Sequence, residues 1–370
     1  MKPIGVYLHI PFCLSKCPYC DFYSVPYTQQ AAQDYTAALV RAVNTSPARG
    51  SQVDSVYFGG GTPVLLGTEL LPVLEAVAQS YQLADDCEIT LEANPAAMTY
   101  DTLCALRQGG FNRISMGVQS ANDHELHYLG RRHSFEQAVQ SVQMAQQAGF
   151  ENVSVDLMLG TPRQTEESVR QFVQTFDDLG VRHISGYLLK IEPGTPFARQ
   201  RVERLCPGEE ESADLYLDTV EQMEQHGFFQ YEVSNFARPG FESRHNLKYW
   251  RCEEYLGIGP AAHSYYQGNR FYFPRSLSDF CAAEDVWKLV EQDGEGGGMF
   301  EYVMLRLRLR EGVNLPELRA LFGVDTTALE RRASFLQKQG LVRLDGQRLF
   351  LTPQGFLVSN SVIVDLLEYC

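Results

Sequence analysis

Three cysteines stand within eight positions of the stretch HIPFCLSKCPYCDFYS: Cys13, Cys17 and Cys20, spaced C-x3-C-x2-C, with Phe22 two places further on. Thiols so spaced in one loop are candidate metal ligands. A structural zinc takes four protein ligands and a catalytic zinc three plus water. The other cysteines, Cys87, Cys104, Cys206, Cys252, Cys281 and Cys370, are scattered singly and offer no CxxC partner pair. A [4Fe–4S] cube takes one thiolate per iron, so three thiolates leave one iron open to an outside ligand. Buried, hydrophobe-like thiols are the plain alternative, and it suits a single cysteine far better than three in a tight loop.

These residues need a scaffold, and the first half of the chain supplies one. Apolar runs predict strands at Gly5–Ile10, Ser55–Phe58, Glu88–Glu92, Arg113–Val118, Asn152–Leu157 and His183–Leu189. Amphipathic stretches between them predict helices at Gln33–Asn44, Glu69–Gln79, Ser134–Gly149 and Glu166–Leu179. Repeated β-then-α units imply a parallel sheet, because parallel neighbours need crossovers. The polar residues fall at strand ends: cysteines after the first, Gly59–Pro63 (GGGTP) after the second, Glu92 closing the third, Gln119 after the fourth and Asp156 near the end of the fifth. Residues gathered at the C-terminal rim of successive strands mark a barrel mouth, whereas an open sheet concentrates them at one switch point. The expected fold is α/β, a partial (β/α)6 barrel.

Composition sets limits. A net charge of -15 argues against a general nucleic-acid binder. No apolar run reaches membrane-helix length, and Lys2 leads into GVYLHI with no export signal. The cysteines therefore read as cytoplasmic thiols or ligands rather than a disulfide framework.

YLHIPFCLSKCPYC resembles the signature of the radical S-adenosylmethionine (SAM) superfamily. The resemblance extends over nearly the whole chain and narrows to the group around oxygen-independent coproporphyrinogen III oxidase. It implies that Cys13, Cys17 and Cys20 hold a [4Fe–4S] cluster whose fourth iron is chelated by SAM. It also implies that Gly60, Gly61 and Thr62 of VYFGGGTP receive the methionyl amino group. Consecutive glycines let a ligand approach the backbone closely, and no Gly-Lys-Ser/Thr follows to make a phosphate loop. Glu92 in LEANP, Gln119 in SMGVQS, Arg131 in LGRRHS and Asp156 in DLMLGTP complete the implied SAM site, with Tyr7 and Tyr19 shaping the pocket. A carboxylate can pair an ammonium or hold a ribose diol, and arginine can fork onto a carboxylate. Two positions depart from the pattern: Arg163 in GTPRQT and Ala261 in GIGPAAHS stand where glycine is expected, the second read as a tolerable small-for-small change.

Two jobs occur in this group. The oxidases decarboxylate propionates of coproporphyrinogen III through a 5′-deoxyadenosyl radical and carry a fourth cysteine at C-x3-C-x2-C-x-C, after a longer leading segment. Here Phe22 fills that place and twelve residues precede Cys13. Both features resemble the group's heme chaperones, which pass heme to respiratory heme proteins. The resemblance thus implies a heme chaperone carrying a cluster and SAM, without coproporphyrinogen III oxidase activity, and the oxidase is the alternative. HNxxYW, at His245, Asn246, Tyr249 and Trp250, is associated with heme binding in that group. A neutral imidazole is a good axial ligand flanked by aromatics, so His245 is the expected heme ligand. Cys252 and His263 are its rivals and His9 a weaker one; the plain reading is a core histidine.

Residues 1–200 are expected to form the barrel, 201–293 an extension with the HNxxYW motif, and 294–370 a small C-terminal winged-helix-like α+β domain. EQDGEGGG (Glu291–Gly298) is expected to break the pattern. Asp345-Gly346 predicts a hairpin after helices at Phe300–Arg310, Leu315–Phe322 and Thr326–Gln339. Nine Lys/Arg against eight Asp/Glu over 297–370 leave no phosphate-binding face, so partner docking is expected rather than DNA binding. Peripheral membrane contact is compatible with respiratory recipients.

Overall fold

The computed structural model describes residues 2–370. The expected alternation appears as β1 (Ile4–Ile10), α1 (Gln29–Asn44), β2 (Gln52–Gly60), α2 (Leu70–Ser80), β3 (Gln82–Ala93), α3 (Tyr100–Gln108), β4 (Arg113–Gln119), α4 (Phe135–Gln147), β5 (Asn152–Leu159), α5 (Glu166–Asp178) and β6 (His183–Leu188). The helix over Tyr100–Gln108 was not anticipated, since its nine residues bury only Leu103 and Leu106. Polar caps start the helices: Thr28, Thr99 and Thr165 each accept a backbone N–H of the first turn, and Ser134 closes a capping box with Gln137. On α5, Val169, Phe172, Val173 and Phe176 form one buried stripe against the sheet. Truncating such a phenylalanine to alanine costs about 3–5 kcal/mol.

After Glu192 comes α6 (Glu209–Gln225), then, across the aromatic segment 228–274, β7 (Phe229–Gln230), β8 (Asn235–Ala237), α7 (Arg244–Trp250), β9 (Tyr255–Ile258), β10 (His263–Tyr266) and β11 (Asn269–Tyr272), and beyond it β12 (Glu291–Glu295). All twelve strands join one sheet in the order β12-β11-β10-β9-β1-β2-β3-β4-β5-β6-β8-β7. The six strands β1 to β6 run parallel, and β9 adds a seventh parallel strand outside β1. The sheet curls as a partial barrel without closing. The acidic, glycine-rich stretch expected to break the pattern instead begins as β12, which straddles residue 293 with all five residues exposed. Its backbone pairs with β11, and an edge strand needs no apolar side chains for that.

Beyond it lie α8 (Met299–Arg306), β13 (Val313–Asn314), α9 (Leu315–Phe322), α10 (Thr327–Lys338), β14 (Val342–Leu344), β15 (Arg348–Leu351) and α11 (Ser359–Leu367). A three-stranded sheet, β13-β15-β14, with helices α9 and α10 makes the winged-helix-like unit, and its hairpin turns at Asp345-Gly346 as predicted. Glu311 takes both Arg251, just past α7, and Arg306 on α8, tying the extension to this unit.

Candidate functional site at the barrel mouth

Along the parallel strands, apolar residues at alternate positions pack outward and polar ones point into the barrel. The fourth strand shows it: Ile114, Met116 and Val118 are fully buried core, while Arg113, Ser115, Gly117 and Gln119 share the other face. Arg113 is 1% exposed and faces Glu88, Tyr57 and Asp156. Sequence reasoning missed it, although a charge in step with Ser115 and Gln119 was the available signal.

The cysteine loop leaves β1 and is pinned at both ends by a short parallel pairing of Phe12–Cys13 with Val25–Pro26. Inside it Cys20 N–H donates to the Cys17 carbonyl at 3.1 Å. All three thiols are free and half-buried. The Arg131 guanidinium reaches the Cys17 sulfur at 3.4 Å from Nη1 and also bonds the Gly117 carbonyl, while its buried Nε has no partner. Thr62 Oγ1 lies 3.8 Å from the Cys13 sulfur. Among the described residues no three His, Cys, Asp or Glu side chains converge tightly enough for a single metal ion. Three thiols on one loop fit a cube that takes one thiolate per iron and leaves the fourth iron to another ligand.

The glycine loop has its N–H groups turned inward: Gly60 donates to Glu92 at 3.0 Å, Gly61 to the Ile10 carbonyl at 2.8 Å and Thr62 to the Phe12 carbonyl at 2.7 Å. Carbonyl oxygen is the polarity this loop has left for a ligand, which suits an ammonium and not an anion. Side chains have no room here. A Cβ on Gly60 (φ +113°) would sit 2.5 Å from the His9 ring, and one on Gly61 2.6 Å from the Phe12 carbonyl.

Glu92 also accepts from the Tyr57 hydroxyl at 2.9 Å. Burial pushes its carboxyl up to about 7, against the pull of the Tyr57 and Gly60 hydrogen bonds. Asp156 is likewise raised by burial, and Ser185, Arg113 and Ser115 offset part of the rise. Gln119 closes β4 with φ +82°, beside a register break against β5, the kind of backbone irregularity that collects at ligand sites. Tyr7 donates to His9 Nδ1 at 3.0 Å, which leaves His9 Nε2 to donate to the Tyr23 carbonyl at 3.2 Å. Tyr19 is packed on Phe197 and buried beside Arg131 and Cys17. Tyr7, Tyr19, Gly60, Gly61, Thr62, Glu92, Gln119, Arg131 and Asp156 therefore share the mouth with the three cysteines.

His245 does not join them. Helix α7, capped by Ser243, plugs the barrel at the strand beginnings: Lys248 pairs with Asp54 at 2.8 Å and bonds the Pro3 carbonyl, and the His245 N–H donates to Glu88. The His245 ring is fully buried, with Nδ1 bonded to Ser55 Oγ at 3.0 Å and Nε2 to the Tyr249 hydroxyl at 2.8 Å. Burial, with Lys248 and Arg113 nearby, holds its pKa down at about 3. Both ring nitrogens are engaged, one donating and one accepting, so in this arrangement the expected axial ligand is a core histidine. His9 is similarly occupied. Ala261 needs correction as well: its φ is +66°, and Arg163 has φ +60°, so what these positions ask for is backbone freedom, not small size.

The curled parallel sheet and its three-cysteine rim define a radical SAM protein, and residues 7–176 match the radical SAM superfamily, with 298–358 matching the HemN C-terminal domain. Over 98% of its length the chain is 34% identical to a protein named heme chaperone HemW in Lactococcus lactis, covering 96% of that protein. It is 36% identical to the HemW of Mycobacterium tuberculosis over 99% of this chain and 95% of the other. The chain belongs to the heme chaperone HemW family. Among solved structures, coproporphyrinogen III oxidase (HemN) of Escherichia coli shares the fold, with a TM-score of 0.84, 23% identity and coverage of 100% of this chain and 91% of the other.

Proposed function

We propose that this protein binds heme and delivers it to heme proteins, on a scaffold whose mouth holds a [4Fe–4S] cluster at Cys13, Cys17 and Cys20 and SAM against the surrounding residues. What supports the reading is the gathering of the expected rim residues about one mouth in a chain 34–36% identical to heme chaperones over nearly its whole length, with Phe22 69% exposed where the oxidase pattern has a fourth thiol. The bound groups supply an electron-transfer centre and a sulfonium ligand. The chain's own residues hold and orient them: the loop carbonyls and Glu92 take the ammonium, Arg131 the carboxylate, and Asp156 the ribose. Arg131 also sets a positive charge beside the Cys17 sulfur. Respiratory heme proteins are the proposed recipients, reached from the cytoplasm or from the membrane surface. No helix among the described residues is long and apolar enough to cross a membrane.

Anaerobic protein, reconstituted with iron and sulfide, tests this reading against the oxidase alternative. Heme titration should give a saturable Soret band, and incubation with coproporphyrinogen III, SAM and dithionite should give no protoporphyrinogen. Protoporphyrinogen formation without heme binding would reverse the assignment. Release of 5′-deoxyadenosine in the same preparation reports whether SAM is cleaved or only held.

A further inference from the structure

The HNxxYW motif sits on the barrel floor, and the contacts of its histidine lead from there to the mouth. The imidazole enters where β1 has no side chain: a Cβ on Gly5 would stand 3.0 Å from the ring. It stacks on Tyr57 with ring centroids 5.3 Å apart and planes at 29°, and the Tyr7 ring lies 6.3 Å away. Tyr7 and Tyr57 are register partners on β1 and β2, their ring centroids 6.1 Å apart. The Tyr57 hydroxyl then donates to Glu92 Oε1 at 2.9 Å.

This column of rings has no slack. A Cβ on Gly59 would lie 2.9 Å from the Tyr57 ring, 3.0 Å from the Tyr7 ring and 3.1 Å from Glu92 Oε1, so those three groups already fill the space beside the glycine. Beneath them His245 is held on both nitrogens, by Ser55 of β2 and by the Tyr249 hydroxyl, and Lys248 ties the same helix to Asp54. A hydrogen bond keeps its direction when packing locks the side chain that makes it. Glu92 interacts electrostatically with Tyr7 of β1, Tyr57 of β2, Arg113 of β4, Asp156 of β5, Tyr187 of β6 and Tyr249 of α7. Among the described residues its hydrogen bonds come from the Tyr57 hydroxyl and the Gly60 N–H, and both favour the ionised carboxylate against burial.

We propose that HNxxYW serves the SAM site from below: His245 fixes the Tyr57 ring, and Tyr57 in turn holds the Glu92 carboxylate ready for the ammonium. His245 is a positioning residue that touches no ligand. This rests on the SAM reading above and adds what the motif contributes to it.

The test is equilibrium SAM binding across pH in the cluster-reconstituted full chain, wild type against Tyr57→Phe, His245→Gln and the double variant, with iron content measured beside it. Tyr57→Phe should weaken binding about tenfold on the acid side. It should also move the pH midpoint upward, because Glu92 loses a hydrogen bond that favours its ionised form. His245→Gln should move the midpoint the same way with about a threefold loss, and should add nothing in the Tyr57→Phe background. A merely structural role would instead lower affinity evenly across pH. Tyr249→Phe keeps every ring and frees one imidazole nitrogen; it should give a smaller shift of the same sign, and it decides the matter if His245→Gln assembles no cluster. An unmoved midpoint in His245→Gln, or in Tyr249→Phe where it stands in, overturns the positioning role while leaving SAM binding standing. Losses that multiply in the double variant do the same. Wild-type protein that holds a cluster but binds no SAM overturns both readings.

Discussion

Arg131 and Cys17 come together across 114 residues of sequence, guanidinium Nη1 to sulfur at 3.4 Å. The contact joins the cluster loop to the end of the fourth strand through the Gly117 carbonyl, so the side chain that would fork onto a ligand carboxylate also sits against a cluster thiol. Arg131→Met should lower SAM affinity at least tenfold in reconstituted protein while iron content falls much less. Arg131→Lys should not restore it, because a point ammonium cannot serve both partners. Equilibrium binding of SAM beside iron and sulfide analysis checks both expectations.

Glu92 gives SAM binding a pH dependence. Burial raises its carboxyl to about 7, so the ligand-free fold holds it protonated below that pH, whereas an ammonium needs the carboxylate. Affinity should therefore rise with pH up to about 7 and then level, approaching a tenfold change per unit on the acid side. Stability of the ligand-free protein should run the opposite way, since its contribution is full below the unfolded value near 4.5 and is lost as pH rises through about 7. Glu92→Gln should flatten both curves.

Two backbone positions are open to improvement. Arg163→Gly and Ala261→Gly replace side chains at φ +60° and +66°, where the left-handed region costs an L-residue about 1 kcal/mol. Each should raise the urea midpoint by an amount worth about 1 kcal/mol. Unchanged midpoints would mean that neither position is strained.

His245→Ala should destabilise the fold by about 2–4 kcal/mol, because it opens a cavity and strands the Ser55 and Tyr249 hydroxyls in the interior. The informative readout is the heme that still binds. Its Soret position should match wild type even where affinity falls, as fits a residue that is not the axial ligand.

Much of this was legible in the chain. The six parallel strands carry apolar runs long enough to fix their existence, and the cysteine spacing needs no tertiary information. The outer strands were hidden because they are short: β9 buries Leu256 and Ile258 within only four residues, β10 and β11 are largely tyrosine and polar, and β12 is wholly exposed. Arg113 was hidden because its partners Glu88 and Asp156 lie on other strands. His245 illustrates the harder limit: HNxxYW favours a ligand over a core histidine, and only the contacts with Ser55 and Tyr249 reverse that order.

The most direct test of the chaperone account is heme transfer itself. Heme-loaded, cluster-reconstituted protein is mixed with a respiratory cytochrome in its heme-free form, and the Soret bands of donor and acceptor are followed after separation. The account predicts that the donor band declines as the acceptor band grows, faster than free heme released into the same buffer would supply it. Heme that stays with the donor, or reaches the acceptor only at the rate of spontaneous release, would contradict it.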